Sequence, residues 1–500
     1  MNIFWIIIDG ICNYERADLH GLLPILKKLK INKEGFYFEN AISQCPSTNL
    51  SLLSFLTGRF PYYLIPDYYR SIENLPSFKD NNISPLKKAN YNIQSIIFGR
   101  EQAIITKNIL NPYYNKNLYP GDRWLDAKEV YQIFIQKMEH FTPSENNFFL
   151  LFFRASDPET DSYLNKTIDY FRDKDLWDNS IFIFSSDHGY YDKNLYKKRK
   201  IMHFDDIHHS SMQPILFLKI PSNLTKTQSK TIETQVYLID VMETILDYLN
   251  IEATHERESI SFKKLIEEDM DVNKDRKVRG DCYLMFQTIK KTMITKDEWK
   301  LLNINGEFNL YNLKEDPLEK VDIKNSNPKI FNEFFRFYLK TEKKAYGILK
   351  NTLNDIYNQS FLASLESENL FIPNQFPPQL VKFLKENLEI KNNLINLSDA
   401  NKFNSIENHS IIMILIYNRM TGYGLKKLRR KYQKYTKKLI ILDTELNDVS
   451  DQIKDTGYLK FVIRSLIKRR KLLLQRWKEI LVWILYFPLY FNKHIRKFYN

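Results

Sequence analysis

The 500-residue chain is poor in cysteine and lacks any apolar run of membrane-spanning length, and each shortage narrows what it can be. Cys12, Cys45 and Cys282 are odd in number and share no metal-ligand spacing. That argues against a disulfide framework and for a reducing compartment. The longest apolar candidate, Ile480 to Phe491, holds twelve residues and a proline, short of the roughly 18–20 a spanning helix needs. The opening Met1-Asn2-Ile3-Phe4-Trp5-Ile6-Ile7-Ile8-Asp9 has neither the basic start nor the length of a signal peptide and reads as a buried strand. A cytoplasmic protein is expected. There is no internal repeat and no low-complexity tract, only a Lys/Asn/Ile bias.

What is present suffices for a large core: 43% of residues are hydrophobic, 14% aromatic and 27% charged. The length predicts more than one domain. The net charge of +13 is unevenly placed. Residues 421–500 hold 20 Lys/Arg against 6 Asp/Glu, leaving 53 against 54 in the first 420, so the basic character belongs to the tail.

Strand-like apolar runs at 3–8, 93–98, 148–153, 181–185 and 215–219 alternate with helical spacing at 22–31, 49–57, 127–140, 161–174 and 235–249. This alternation predicts an α/β fold with a mostly parallel sheet covered by helices on both faces, its functional groups at the carboxyl ends of the strands. Tyr283–Thr288, Lys291–Ile294 and Trp299–Ile304 read as a small antiparallel sheet, and beyond about 345 the pattern is helical. The expected organisation is a catalytic domain at 1–250, a small subdomain with antiparallel strands at 251–345 and a helical basic extension at 346–500.

Three segments could carry chemistry. Asp9 ends an apolar strand, where a carboxylate can reach a metal, although Asp9-Gly10 is also an ordinary turn. Ser47, Thr48 and Asn49 are N-cap residue types, the spacing of Leu50, Leu53 and Leu56 makes a helix behind them, and Gly58 ends it. A hydroxyl there sits beside free backbone N–H groups and the positive end of the helix dipole, a setting suited to a tetrahedral anion as well as to simple capping. Asp187 and His188 follow the run Ile181–Ser186. Together Asp9, Thr48, Asp187 and His188 would give one divalent cation three oxygen ligands and one nitrogen.

In this order, these elements resemble the sulfatase branch of the alkaline-phosphatase superfamily. The resemblance rests on the strand-ending Asp9, the helix closing in Leu56-Thr57-Gly58-Arg59-Phe60-Pro61, the entry Leu176-Trp177-Asp178-Asn179-Ser180 and the run Ser186-Asp187-His188-Gly189. Asp161 falls on a usual helix Asp, and Asn309 to Glu319 resembles a motif of the family's C-terminal subdomain. The resemblance covers about residues 1–345. It implies an alkaline-phosphatase-like three-layer sandwich, a nucleophile at Thr48, one divalent metal ion (Mn, Zn, Mg or Ca) on Asp9, Thr48, Asp187 and His188, and substrate contacts from His203 and Ser51. His203 is expected to position the ester or steady its leaving oxygen; His208 and His209 are assigned to the surface or to the layer behind the ligands. Asp240 resembles the family's Asp ahead of its last core helix and is read as structural.

The departures from the family pattern matter as much. Formylglycine-dependent sulfatases place Cys or Ser at the nucleophile position, followed by Pro and Arg; here Thr48 precedes Leu50 and Leu52, and Cys45 lacks the remaining motif. A threonine nucleophile instead resembles the phosphodiesterase and phosphoethanolamine-transferase relatives. The chain is therefore expected to cleave or transfer a phosphate or sulfate ester, on a cell-envelope glycan or lipid intermediate. The alternative is a catalytically silent binding or scaffold protein of the same fold. The tail, with Lys426-Lys427-Leu428-Arg429-Arg430 and Lys468-Arg469-Arg470-Lys471 ahead of Ile480–Phe487, suits an anionic membrane surface at the inner face of the membrane, or a helical hairpin packed on the domain. Nucleic acid is the least expected partner, because no recognised module accompanies the charge.

Overall fold

A computed structural model describes residues 1–11, 24–68, 81–99, 105–106, 109, 124–189, 207–253, 258–283, 290–304 and 306–358, and beyond these only 370–372, 395–396, 409–415 and 436–442. Nine strands precede residue 240: β1 (Asn2–Asp9), β2 (Phe36–Phe38), β3 (Ala41–Ile42), β4 (Asn92–Ile97), β5 (Asn147–Arg154), β6 (Ser180–Ser185), β7 (Leu216–Lys219), β8 (Thr231–Ile232) and β9 (Val236–Tyr237). Seven of them form one sheet in the order β4-β5-β1-β6-β7-β2-β8. Its centre, β4 to β6, is parallel, and β7 runs antiparallel to both neighbours.

The parallel strands are apolar on both faces. Residues 3–8 of β1, 148–153 of β5 and 181–184 of β6 are wholly buried, as a sheet covered on both sides requires. Helices α1 (Pro24–Ile31) and α2 (Thr48–Thr57) belong to the covering layers, with the longer helices Ala127–Met138, Thr160–Asp173 and Val241–Tyr248. Asp161 Oδ1 accepts from the Ile25 backbone at 3.1 Å, so the helix Asp ties α1 to the Thr160–Asp173 helix. The helix expected over 235–249 begins only at Val241; β9 and a tight turn, Leu238–Asp240, come first. Asp240 is the structural residue expected: fully buried, it accepts two bonds from Arg276, at 2.6 and 3.1 Å.

Four antiparallel strands follow: β10 (Val278–Tyr283), β11 (Lys290–Lys296), β12 (Trp299–Ile304) and β13 (Glu307–Asn312). β13 was not expected, because Asn and Glu alternate there with its inward Leu310, and of the expected strand Tyr283–Thr288 only Tyr283 lies within the described residues, at the end of β10. This sheet and the large one belong to one compact unit, Met1–Leu284 and Ile289–Ile348. One bond ties it to the start of the molecule, from Asp281 N to Gln44 O at 3.0 Å, and within β10 buried Arg279 grips Asp281 through Nε at 2.9 and 3.0 Å.

The second unit differs from expectation. Its described residues past 358 are not helical but four strands, β14 (Leu370–Ile372), β15 (Ile395–Asn396), β16 (His409–Leu415) and β17 (Thr436–Leu442), parallel in the order β15-β14-β16-β17. The short runs Ile411-Ile412 and Ile440-Ile441 carry the β-branched residues that favour strands. The basic clusters of the tail and Ile480–Phe487 lie outside the described residues. Among the described residues, no helix is long and apolar enough to cross a membrane.

Helix α2 is buried on every side from Asn49 to Thr57 and stops at Gly58, whose φ of 70° favours glycine. Beneath that stop, Glu258 N donates to Gly58 O at 3.1 Å. Burial pushes the Glu258 carboxyl from an ordinary 4.5 up to about 7, against the attraction of Arg59. The folded chain thus holds this proton more tightly than the unfolded chain. Stability from the group is complete below about pH 4.5 and is lost as pH rises through about 7. Urea midpoints of the protein should accordingly fall relative to Glu258→Gln between pH 4.5 and 7; parallel pH profiles would contradict the assignment.

Candidate metal centre

Three segments meet at the carboxyl edge of the large sheet. Asp9 is the last residue of β1, and Asp187 and His188 follow its parallel neighbour β6, so the sheet register alone places two carboxylates side by side. Thr48 is the first residue of α2, after Ser47, whose side chain makes no capping bond. The Thr48 hydroxyl donates to Asp9 Oδ1 at 3.2 Å and lies 3.3 Å from His188 Nε2. His188 Nε2 is 3.4 Å from Asp187 Oδ2 and 3.8 Å from Asp9 Oδ1. One ligand atom each from Asp9, Asp187 and His188 fits within 4.8 Å.

The electrostatics favour a cation here. Asp187 is wholly buried; its Oδ1 accepts from Gly10 N at 3.0 Å, while Oδ2 accepts no hydrogen bond. A buried carboxylate oxygen without a partner is costly unless something positive meets it. Burial first, and then the Asp187 charge, push the half-buried Asp9 carboxyl up to about 6. His188 Nδ1 lies 2.7 Å from Gly189 O, which can only accept, so Nδ1 carries a hydrogen and Nε2 is the ring nitrogen that faces the cluster. Two carboxylate oxygens and an imidazole nitrogen can serve a divalent cation.

The structure thus brings Asp9, Thr48, Asp187 and His188 together as the spacing suggested. Ser51, expected to contact substrate, is buried, and its hydroxyl donates to the Asp187 backbone carbonyl. At i+3 from Thr48 it sits one helical turn deeper, toward the core. His203 lies outside the described residues. His208 is not at the surface; it is buried with Nε2 3.7 Å from Glu319 Oε2. Burial, then the Lys300 charge, lower the His209 imidazole to about 4.

Lys300, which sequence reasoning passed over, and Glu319, the last residue of the Asn309–Glu319 motif, complete this backing. Buried Lys300 lies 2.5 Å from Glu319 and donates to Ile207 O at 2.6 Å, pinning the segment 207–213. That segment accepts the Gly189 N–H on Ser211 O at 2.9 Å, directly behind His188. A Cβ on Gly189 would lie 2.0 Å from Ser210 O, which requires glycine there. Arg154 was also missed. It pairs in register with Asp9 across β5 and β1, and its charge opposes the rise in the Asp9 carboxyl. Its only sequence signal was its place at the end of the apolar run Phe148–Phe153.

A family profile described as sulfatase matches residues 158–251. An arylsulfatase of Clostridium perfringens is 29% identical over 151 residues, a stretch covering 30% of this chain and 30% of that protein's length. A structure solved in complex with its substrate D-glucosamine-2-N,6-O-disulfate superposes with a TM-score of 0.54 at 12% identity, over 69% of this chain and 98% of the other. A phosphonate monoester hydrolase of Agrobacterium radiobacter gives 0.53 at 10%, over 69% and 96%. The fold is therefore the one shared by these solved structures, and the family model matches its stretch from 158 to 251.

If a cation is what balances the two carboxylates, Asp187→Asn should stabilise the metal-free protein, by about 1–2 kcal/mol, because a buried charge facing Asp9 is removed while the Gly10 bond is kept. The same substitution should abolish the rise in melting temperature that divalent ions give the unsubstituted protein. A rise of equal size in Asp187→Asn would contradict the ligand assignment.

Proposed function

We propose that the chain is a metal-dependent hydrolase or transferase that cleaves a phosphate or sulfate ester through Thr48. The observation that carries this reading is the Thr48 hydroxyl, aimed by Asp9 Oδ1 into a cluster whose Asp187 Oδ2 has no hydrogen-bond donor. Asp9, Asp187 and His188 would hold one divalent ion, with Thr48 beside them. Bound there, the ion supplies Lewis acidity, favouring ionisation of the hydroxyl and offsetting charge on the ester oxygens.

The chain's own groups do the rest. Asp9 fixes the direction of the Thr48 Oγ1 lone pairs, and the backbone N–H groups at the start of α2 face the negative charge that grows on the ester oxygens. Oγ1 bonds to phosphorus or sulfur as its proton passes to water, and the ester bond breaks with protonation of the departing alcohol oxygen. Attack by water on the modified Thr48 completes hydrolysis; attack by an alcohol completes transfer. His203 is proposed to steady the leaving oxygen.

Threonine cannot be converted to the formylglycine aldehyde, which favours phosphoryl transfer over the formylglycine route. A glycan ester is supported by the structural neighbour solved with a sulfated glucosamine. The retained cluster speaks against a silent scaffold.

Aryl phosphate diesters, phosphate monoesters and sulfate esters should be offered to the purified protein with Mn, Zn, Mg and Ca in turn. Turnover that requires a divalent ion is expected, with Thr48→Ala lowering kcat by about 10³-fold or more and Thr48→Ser retaining part of it. Turnover undiminished in Thr48→Ala would overturn the nucleophile assignment.

A further inference from the structure

The helix Pro328–Asn358 follows the antiparallel sheet, and its stretch to Ile348 belongs to the first unit. The inner side of that stretch is fixed. Phe334 is buried against Leu301 and Leu310, and Thr341 accepts from Arg279 Nη1 at 2.9 Å. Both of its acidic side chains are drawn toward the sheet as well. Glu333 pairs with Lys277 and, at 3.6 Å, with Lys296, and Glu342 pairs with Arg279 of β10.

The outer side is left basic. Lys329, Arg336, Lys340 and Lys343 are exposed, and intervals of seven, four and three residues set them in one row along the helix. None of the four makes an ion pair among the described residues. Arg336 and Lys340, four residues apart, and Lys340 and Lys343, three apart, repel one another, which works against the helix. A second row runs beside the first, made of apolar side chains at four-residue steps: Phe331, Phe335 and Leu339. The Phe331 and Phe335 rings stack at 5.7 Å, Phe308 of β13 meets Phe335 edge-on at 5.1 Å, and both helix phenylalanines stay half-buried. Leu339 continues that row into solvent. It is 51% exposed, one helical turn from both Arg336 and Lys343.

We propose that this face of the helix docks on an anionic lipid surface. Charge complementarity carries the assignment. Four unpaired cations in a straight row, about 21 Å from end to end, meet headgroup phosphates, and the repulsion among them is relieved there. The apolar row decides between a membrane and a dissolved polyanion. A polyanion uses the cations alone, whereas a lipid surface also covers Leu339 and the open edge of Phe335 at the boundary between headgroups and acyl chains. Docking of this kind places the helix along the surface and needs no spanning segment. It is independent of the ester-cleaving reading.

The test is co-sedimentation of the full-length protein with phosphatidylcholine vesicles, prepared with and without phosphatidylglycerol. Binding is expected with phosphatidylglycerol only and should weaken as salt is raised. A basic residue near such a surface strengthens binding roughly fivefold, so Arg336→Glu, Lys340→Glu and Lys343→Glu combined should lower the partition coefficient about tenfold or more. Glutamine at the same three positions should give a smaller loss in the same direction, and Leu339→Ser should weaken binding with the charge unchanged. Lys27→Glu, Lys28→Glu and Lys128→Glu combined take the same charge from exposed positions on other helices and should leave the partition coefficient nearly unaltered. Melting temperatures of both triple variants should match that of the unsubstituted protein. Equal losses in the two triple variants would reduce the effect to net charge and overturn the docking face. Binding undiminished in the 336/340/343 variant, the result expected if residues 421–500 alone held the vesicle, would overturn it too, as would no binding at all. Retention on heparin that depends on the same three residues, without vesicle binding, would assign the face to a soluble polyanion and overturn the lipid proposal. None of these readouts involves turnover, so they leave the fate of the ester-cleaving reading to its own assay.

Discussion

Two carboxylates forced together at the ends of adjacent parallel strands are the constraint on which the rest of this structure depends. Asp9 and Asp187 each lie two residues past the last β1–β6 pair, Ile7 with Ser185, and Asp187 lies fully out of water. The surrounding architecture holds that arrangement in place. Gly10 and Ser51 fix Asp187 from two sides, the 207–213 segment sits behind His188, and Lys300 and Glu319 pin that segment from the antiparallel sheet. Holding a wholly buried acid this close to a second, half-buried one works against stability. Their value lies in what they attract.

The same edge divides the labour among neighbouring strands. β6 and β1 carry acids and an imidazole, α2 brings a hydroxyl to them, and β5 and the segment after β4 carry a cation and an aromatic plate. Charge therefore runs from negative to positive along the row.

Much of this was legible in the sequence because burial on both faces leaves a plain mark. The runs 3–8, 148–153 and 181–185 are too apolar and too short for anything but central strands, and the polar residue after each had to lie at the carboxyl edge. The cluster Asp9, Thr48, Asp187 and His188 followed from that rule together with the family resemblance. What stayed hidden depended on long-range partners. Ser51 reads like a second hydroxyl for substrate until the Asp187 carbonyl is seen against it. Lys300 and Glu319 look like solvated charges because nothing local shows that each buries the other. The parallel strands at 409–415 and 436–442 were masked by the basic residues around them, which suggested an amphipathic helix.

The central claim is that the four residues hold one cation beside the Thr48 hydroxyl. Anomalous diffraction from crystals grown with manganese tests it most directly. The account predicts a single peak about 2.0–2.6 Å from oxygens of Asp9 and Asp187 and from His188 Nε2, with Thr48 Oγ1 within reach. No peak there, with Asp187 Oδ2 still lacking a partner while manganese binds elsewhere, would contradict it.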